Sequence, residues 1–215
     1  MIYDVSVLLG PNTPLYPGDP PFLRTLVSDM ASGALTTNSH LNFGAHTGTH
    51  IDAPFHMIES GDDVTKFSAN QLLGPARLVE IKSERSISLA DLEDLEWTGV
   101  SKVLFKTKNS DLWKSPDFAP NYIFMEEAAA EFLAEKTSVN LVGVDYLSLE
   151  CFGSHRFGSH LALMRRKVVI VEGLDFSAVT AGDYLFFCGA LALAGADGAP
   201  CRAYLVDQDS LAEWR

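Results

Sequence analysis

Only three cysteines, Cys151, Cys188 and Cys201, occur in 215 residues, and no two of them form a CxxC pair. An odd number at wide spacing argues against a disulfide framework and against a cysteine-ligated zinc motif, and it suits a reducing compartment. Cys188, inside Tyr184-Leu185-Phe186-Phe187-Cys188, reads as buried filler. No apolar run approaches the roughly 20 residues needed to span a bilayer. The first residues, Met1-Ile2-Tyr3-Asp4-Val5, lack the basic n-region and apolar core of a signal peptide. The expectation is a cytoplasmic protein with no membrane partner. Positive charge is in deficit too: 16 Lys and Arg against 28 Asp and Glu give a formal net charge of −12. Such a surface repels nucleic acid, so none is expected as a partner. Internal repeats, low-complexity tracts and linker-like shifts in composition are all missing, and residues 1–215 are expected to form one domain.

What is present is an ordinary core-forming composition, 47% hydrophobic and 20% charged. Met1 to Leu9 alternates enough for a first strand, and the proline-rich Gly10 to Pro21 is an irregular loop. Phe22 to Val27 and Leu35 to Phe43 read as short strands. Ser60-Gly61-Asp62-Asp63 is a turn, Ser68 can cap a short helix through Leu73, and Ala76 to Lys82 is a strand. Ser88-Leu89-Ala90-Asp91 looks like a capping box opening a helix that ends near Trp97. Val100 to Thr107 is a strand, Glu126 to Lys136 is a helix, and Leu141 to Val144 is a buried strand ending in Asp145. A long Gly-Ser-rich loop spans Tyr146 to Ser159, with a short helix at His160 to Arg166. Val168-Val169-Ile170-Val171 is a run typical of a strand buried on both faces, ending in Glu172. Tyr184 to Leu191 and Ala203 to Val206 add two more strands. The mixture is α/β or α+β and rich in strand.

Chemistry concentrates in His46-Thr47-Gly48-Thr49-His50-Ile51-Asp52-Ala53-Pro54-Phe55-His56, which holds three of the six histidines and a carboxylate. These groups bind divalent metals of intermediate softness and move protons beside them. A helix would put His46 and His50 on one face, but Thr47, Gly48, Thr49 and Ile51 are poor helix formers and Pro54 disfavours helix at Ala53. Full extension fails as well, because four residues of strand cover about 13 Å and two nitrogens on one metal each lie about 2.0–2.1 Å from it. The chain must fold back at Thr47-Gly48-Thr49, with Gly48 supplying the freedom to do so. His50 and Asp52 then share one side of a short extended piece, and the ligand set keeps positions open for water. A lone histidine here would more often be a satisfied structural residue; two with Asp52 at this spacing point to metal. From pattern alone, His56 is either a fourth ligand or a proton shuttle.

Farther along the chain the pattern is less decisive. Glu172 at a strand end can project into a site or remain a surface carboxylate. His155 and His160 flank Arg156-Phe157-Gly158, and spacing does not choose between them. His40 reads as a surface or supporting residue, and Asp145 as the cap of the turn that follows it.

The eleven-residue segment resembles the HxGTHxDxPxH signature of the metal-dependent cyclase-like hydrolase family, which includes kynurenine formamidases and isatin hydrolases. Tyr16-Pro17-Gly18-Asp19-Pro20 is similar to its W-P-G-D-x-P loop, and Gly143-Val144-Asp145-Tyr146-Leu147-Ser148 to its G-x-D-x-x-S segment. Glu172-Gly173-Leu174, Gly182-Asp183-Tyr184 and Gly195-Ala196-Asp197-Gly198-Ala199-Pro200-Cys201-Arg202-Ala203 continue the likeness in order.

The resemblance implies a swivelling β/β/α fold, commonly dimeric. It implies that His46, His50 and Asp52 bind a first divalent metal, that Asp52 bridges to a second, that His160 holds the second ion and that Glu172 spans both. The ions would be Zn2+, as a pair, or Mn2+. His56 becomes the acid/base, and Tyr16, standing where the formamidases have tryptophan, lines the substrate pocket. The activity implied is hydrolysis of a small aromatic formamide or cyclic amide by metal-activated water. Two other readings keep the same residues: a metal-dependent cyclase or dehydratase, and a non-catalytic protein braced by its ion.

Overall fold

The computed structural model describes residues 1–207 and 209–210. In chain order the elements are β1 (Ile2–Asp4), β2 (Leu23–Ser28), β3 (Asn38–Asn42), β4 (His50–Asp52), α1 (Ala69–Leu72), β5 (Leu73–Glu80), β6 (Ser86–Ile87) and β7 (Lys102–Lys106). They continue with β8 (Phe124–Met125), α2 (Glu127–Lys136), β9 (Leu141–Val144), α3 (Gly158–Arg165), β10 (Val169–Glu172), β11 (Gly182–Ala190) and β12 (Gly198–Val206). The α/β, strand-rich class expected from the sequence is the class observed.

The main sheet runs β1-β12-β11-β5-β7-β9-β10-β4, and β4 also pairs with β12, so seven of its strands close into a barrel. Nine-residue β12 makes the closure possible. On one edge it pairs with β11, while on the other it pairs with β4 through Gly198–Pro200 and with β1 through Tyr204–Val206. Strands β5, β7, β9 and β10 are parallel neighbours, and β4 meets β10 and β12 antiparallel.

Strand alternation sends side chains to two cores. Leu104, Leu141, Val169, Val171 and Ile51 join one cluster with Leu78, Phe186 and Leu205. Val103, Phe105, Val142, Val144 and Ile170 join another, covered by Ala129, Ala130 and Leu133 of α2 and Leu163 and Met164 of α3. Burial on both faces explains the uninterrupted apolar character of β9 and β10. On β4, Ile51 faces the first cluster, which turns His50 and Asp52 to the side where Ile170 and Glu172 lie.

Several elements differ from the sequence expectation. Instead of a strand from Met1 to Leu9, only Ile2–Asp4 pairs as a strand: Val5 N–H makes one further bond to Ala203, β4 takes the same edge of β12 at Gly198–Pro200, and Ser6 makes an isolated bridge to Leu174. The capping box at Ser88 and Asp91 forms, but it opens a single 3-10 turn at Leu89–Asp91 rather than a helix to Trp97. Of the apolar residues there only Leu92 is fully buried, so packing does little to propagate a helix through Glu93, Asp94 and Glu96. Leu35 to Thr37 contributes loop before β3, after a turn that Gly33 closes with φ of 90°. His40 sits exposed on the β2–β3 hairpin. No helix among the described residues is long and apolar enough to cross a membrane.

Candidate functional site

The predicted fold-back is present. Gly48 has φ of 69°, a left-handed conformation that glycine adopts without strain, and beyond it His50–Asp52 run as β4. The turn is tied down by Thr49, whose Oγ1 donates to the carbonyl of Gly173 and accepts from Val7 N–H. Glu172, at the end of β10, is the antiparallel partner of His50. His160 lies in the first turn of α3 and points back at the same place.

Distances show how these groups divide. Asp52 Oδ1 lies 2.8 Å from His46 Nδ1 and 3.3 Å from His50 Nε2, while its Oδ2 lies 3.6 Å from His160 Nε2. Glu172 divides its oxygens likewise: Oε2 is 3.6 Å from His50 Nε2, and Oε1 is 3.2 Å from His160 Nε2. Oε1 also accepts from Leu149 N–H at 2.7 Å. Each carboxylate therefore presents one oxygen to the His50 side and the other to the His160 side.

Electrostatics within this cluster call for positive charge. Burial pushes the imidazoles of His50 and His160 down, but the surrounding carboxylates more than reverse this and leave both well above the usual histidine range. Burial raises the Asp52 carboxyl, yet His46, His160 and His50 hold it well below its ordinary value. Glu172 is raised by burial and by Asp52, and the imidazoles of His160 and His50 bring it below its ordinary value. His50 Nε2 is buried without a hydrogen-bond partner. An orphaned imidazole nitrogen facing two carboxylates is what a divalent cation satisfies, so the residues fit such an ion. His50, Asp52 and Glu172 form one group with ligating atoms within 4.8 Å of one another, and His46, Asp52 and His56 form a second.

The far nitrogen of each ring is also engaged. His50 Nδ1 donates to the Gly48 carbonyl at 2.9 Å, and His160 Nδ1 lies 3.2 Å from Glu150 Oε2. His46 Nε2 lies 2.9 Å from Asp197 Oδ2, an oxygen that is also 3.2 Å from His56 Nδ1. Partners of this kind fix the tautomer and aim the free nitrogen at a metal.

The cluster opens into a cavity of about 310 Å3 lined by Tyr16, Pro17, Asp19, Met57, Leu147 and Phe157 together with His46, His50, His56, His160, Glu150 and Glu172. Tyr16 packs edge-on against Phe118 and Phe152, with ring centroids 5.5 and 5.8 Å away. His56 is part-exposed at its edge, unlike the buried His50 and His160.

Of the seven residues the resemblance assigns to the site, Asp52 lies buried against His46, His50 and His160, and Tyr16, His46, His50, His56, His160 and Glu172 line one cavity. His155 is exposed and outside it. Asp145 is buried and caps, as expected, but the turn it caps follows β7: it accepts from the N–H and hydroxyl of both Thr107 and Ser110. Two contributors carry no role in the sequence reading, Glu150 and Asp197. Glu150 sits ten residues before His160 in a featureless loop. Asp197 lies in the Gly195 to Ala203 segment that continues the family likeness, and that likeness gave it no role.

The family model "Putative cyclase" matches residues 3–151. Cyclase-like protein 2 of Arabidopsis thaliana is 35% identical over 96% of this chain and 79% of its own. Kynurenine formamidase of Geobacillus thermodenitrificans is 34% identical over 94% of this chain and 95% of its own. Among solved structures, one described as a potential metal-dependent hydrolase with cyclase activity superposes with a TM-score of 0.81 at 32% identity, covering 95% of this chain and 96% of that one. Isatin hydrolase A of Labrenzia aggregata shares the fold, with a TM-score of 0.82 at 20% identity over 96% of this chain and 93% of its own.

Proposed function

The chain belongs to the cyclase family, and we propose that within it this protein is a metal-dependent hydrolase of a small aromatic formamide or cyclic amide. The observation that carries the reading is the double split at the site: Asp52 and Glu172 each offer one oxygen toward His50 and one toward His160. That arrangement suits two divalent ions, Zn2+ or Mn2+. His46, His50 and Asp52 would hold the first, His160 and Asp52 the second, and Glu172 would span both. A 34% identical relative named kynurenine formamidase, matched over nearly its whole length, supports the amide chemistry.

Bound cations there supply Lewis acidity, polarising a carbonyl and lowering the pKa of water toward about 7. The protein does the rest. His56, part-exposed at the cavity edge, carries a proton from the attacking water to the leaving nitrogen, a task suited to imidazole near neutrality. Its Nδ1 is engaged by Asp197, so Nε2 is the atom that exchanges the proton. Tyr16, braced by Phe118 and Phe152, holds the aromatic ring, and Leu147, Met57 and Phe157 complete the apolar side of the cavity. A homodimer is part of the same reading. The β2–β3 hairpin, with Leu23, Leu26, Val27 and Leu41 exposed, supports it, and sedimentation velocity in the analytical ultracentrifuge reads the assembly state directly.

Metal analysis coupled to turnover of N-formylkynurenine, isatin and related lactams in 18O-water tests the function. Hydrolysis places one solvent oxygen in the formate or carboxylate product. Cyclisation or dehydration takes up none and would replace this reading. A chelated protein that unfolds outright would favour an ion that only braces the fold.

A further inference from the structure

One oxygen of Asp197 lies within hydrogen-bond distance of two imidazoles: Oδ2 is 2.9 Å from His46 Nε2 and 3.2 Å from His56 Nδ1. The two rings lie close together, with centroids 4.0 Å apart and planes tilted by 37°. An ionised carboxylate only accepts hydrogen bonds, so each nitrogen facing it carries a proton. The His46 nitrogen left for a cation is then Nδ1, directed at Asp52 Oδ1 2.8 Å away, and His56 is left with a bare Nε2.

The carboxylate is itself fixed by the strand that carries it. Gly198, the next residue, is the cross-strand partner of Asp52. Ala53 N–H donates to the Asp197 carbonyl at 2.9 Å, Val64 N–H to that of Ala196, and Gly195 N–H to Asp63 Oδ2. Gly198 also leaves the space the His46 ring occupies, since a Cβ there would sit 2.6 Å from His46 Cε1. The His46 ring is therefore bounded on three sides, by Gly198, Asp52 and Asp197. The backbone bonds already secure the loop, so the side chain is not needed to hold it in place.

We infer that Asp197 is a positioning residue shared by two histidines, fixing His46 with Nδ1 toward the cation and His56 with Nε2 toward the substrate. Its importance for turnover rests on the proposed hydrolase reading; its control of the two tautomers does not. Because one oxygen serves both rings, the orientation of the metal-side histidine and that of the proton-carrying histidine are set together.

The experiment uses the full-length chain with 15N-labelled histidine, as purified and loaded with Zn2+. Long-range 1H–15N correlation spectra report the tautomer of each ring. Loaded with Zn2+, the wild type should show His56 as the Nδ1–H form and His46 as the Nε2–H form. In Asp197→Ala both should lose that fixed form. Asp197→Asn preserves shape and backbone, and its carbonyl oxygen can stand where Oδ2 stands and accept from both rings, so it should keep both fixed forms. Zn2+ affinity should fall roughly 10- to 100-fold in Asp197→Ala. On a turned-over substrate, kcat should fall while KM stays near wild type, and adding Asp197→Ala to His56→Ala should cost little further kcat. Unchanged tautomers in folded Asp197→Ala would overturn the inference, whatever the activity. Changed tautomers in a protein that hydrolyses no amide would uphold it and count against the hydrolase reading alone.

Discussion

Glu172 stands opposite His50 in the antiparallel pairing of β4 with β10, its Oε2 3.6 Å from His50 Nε2. The register places this carboxylate at the site, although the two residues are far apart in sequence. Its other oxygen faces His160, so a single strand pairing delivers the group that joins both halves of the cluster.

Asp52 and His56 should separate metal from turnover. Asp52→Ala removes the carboxylate shared by His46, His50 and His160, and the purified protein should lose bound metal. His56→Ala should retain metal and lose 100-fold or more in kcat, in keeping with the loss of a general acid/base. Elemental analysis beside steady-state kinetics checks both. Full activity in His56→Ala would remove the proton-carrying role.

Glu150 should act on metal affinity through His160. Its Oε2 faces His160 Nδ1 and accepts from Ser159 N–H, so Glu150→Gln weakens the hold on the ring without opening a cavity. Zn2+ affinity measured by competition with a chromophoric chelator should drop roughly 10- to 100-fold, with the thermal midpoint of the metal-free protein nearly unchanged.

Gly198→Ala should displace His46. The added methyl would lie 2.6 Å from the ring, and the ring is already bounded by Asp52 and Asp197. Metal content and kcat should both fall, while the far-ultraviolet circular dichroism stays that of the wild type. A fully loaded, active variant would show that the ring has room to move.

Tyr16→Ala should raise KM roughly 2- to 10-fold for an aromatic substrate, the size of an aromatic contact worth about 0.5–1.5 kcal/mol. It should leave kcat largely intact, because the ring binds the ground state and transition state alike. A purely aliphatic formamide should show no such change in KM.

Asp145 carries a pH signature opposite in sign to that of a salt-bridged carboxylate. Burial raises its carboxyl, and the bonds from Thr107 and Ser110 reverse this only in part, so its folded pKa lies above the ordinary value. Between the unfolded and folded values the native state holds a proton the unfolded chain has released. The contribution of this residue to stability therefore falls as pH rises through that interval and is level above it. A 13C titration of the carboxyl should give a midpoint above about 3.9. Asp145→Ala, which strands the donors of Thr107 and Ser110, should cost about 3 kcal/mol or more in urea unfolding.

The sequence by itself determined the local geometry of the metal segment. Two histidines and an aspartate within seven residues cannot converge in helix or strand, so a turn at Gly48 was obligatory, and it is present with positive φ. Apolar runs identified β9 and β10 as strands buried on both sides, because no other environment suits them. What pattern could not supply was distance. His160 and His155 look equivalent along the chain, and only the first turn of α3, packed over β10, puts one of them beside Glu172 and leaves the other exposed. Glu150 and Asp197 gained no role for the same reason: each acts through a hydrogen bond that only the folded path brings about, the closure of β4 onto β12 for Asp197 and the course of one loop for Glu150. The helix expected after Ser88 failed in the reverse direction. Its capping signal was correct, but only burial extends a helix beyond its first turn, and that depends on what the rest of the chain places against it.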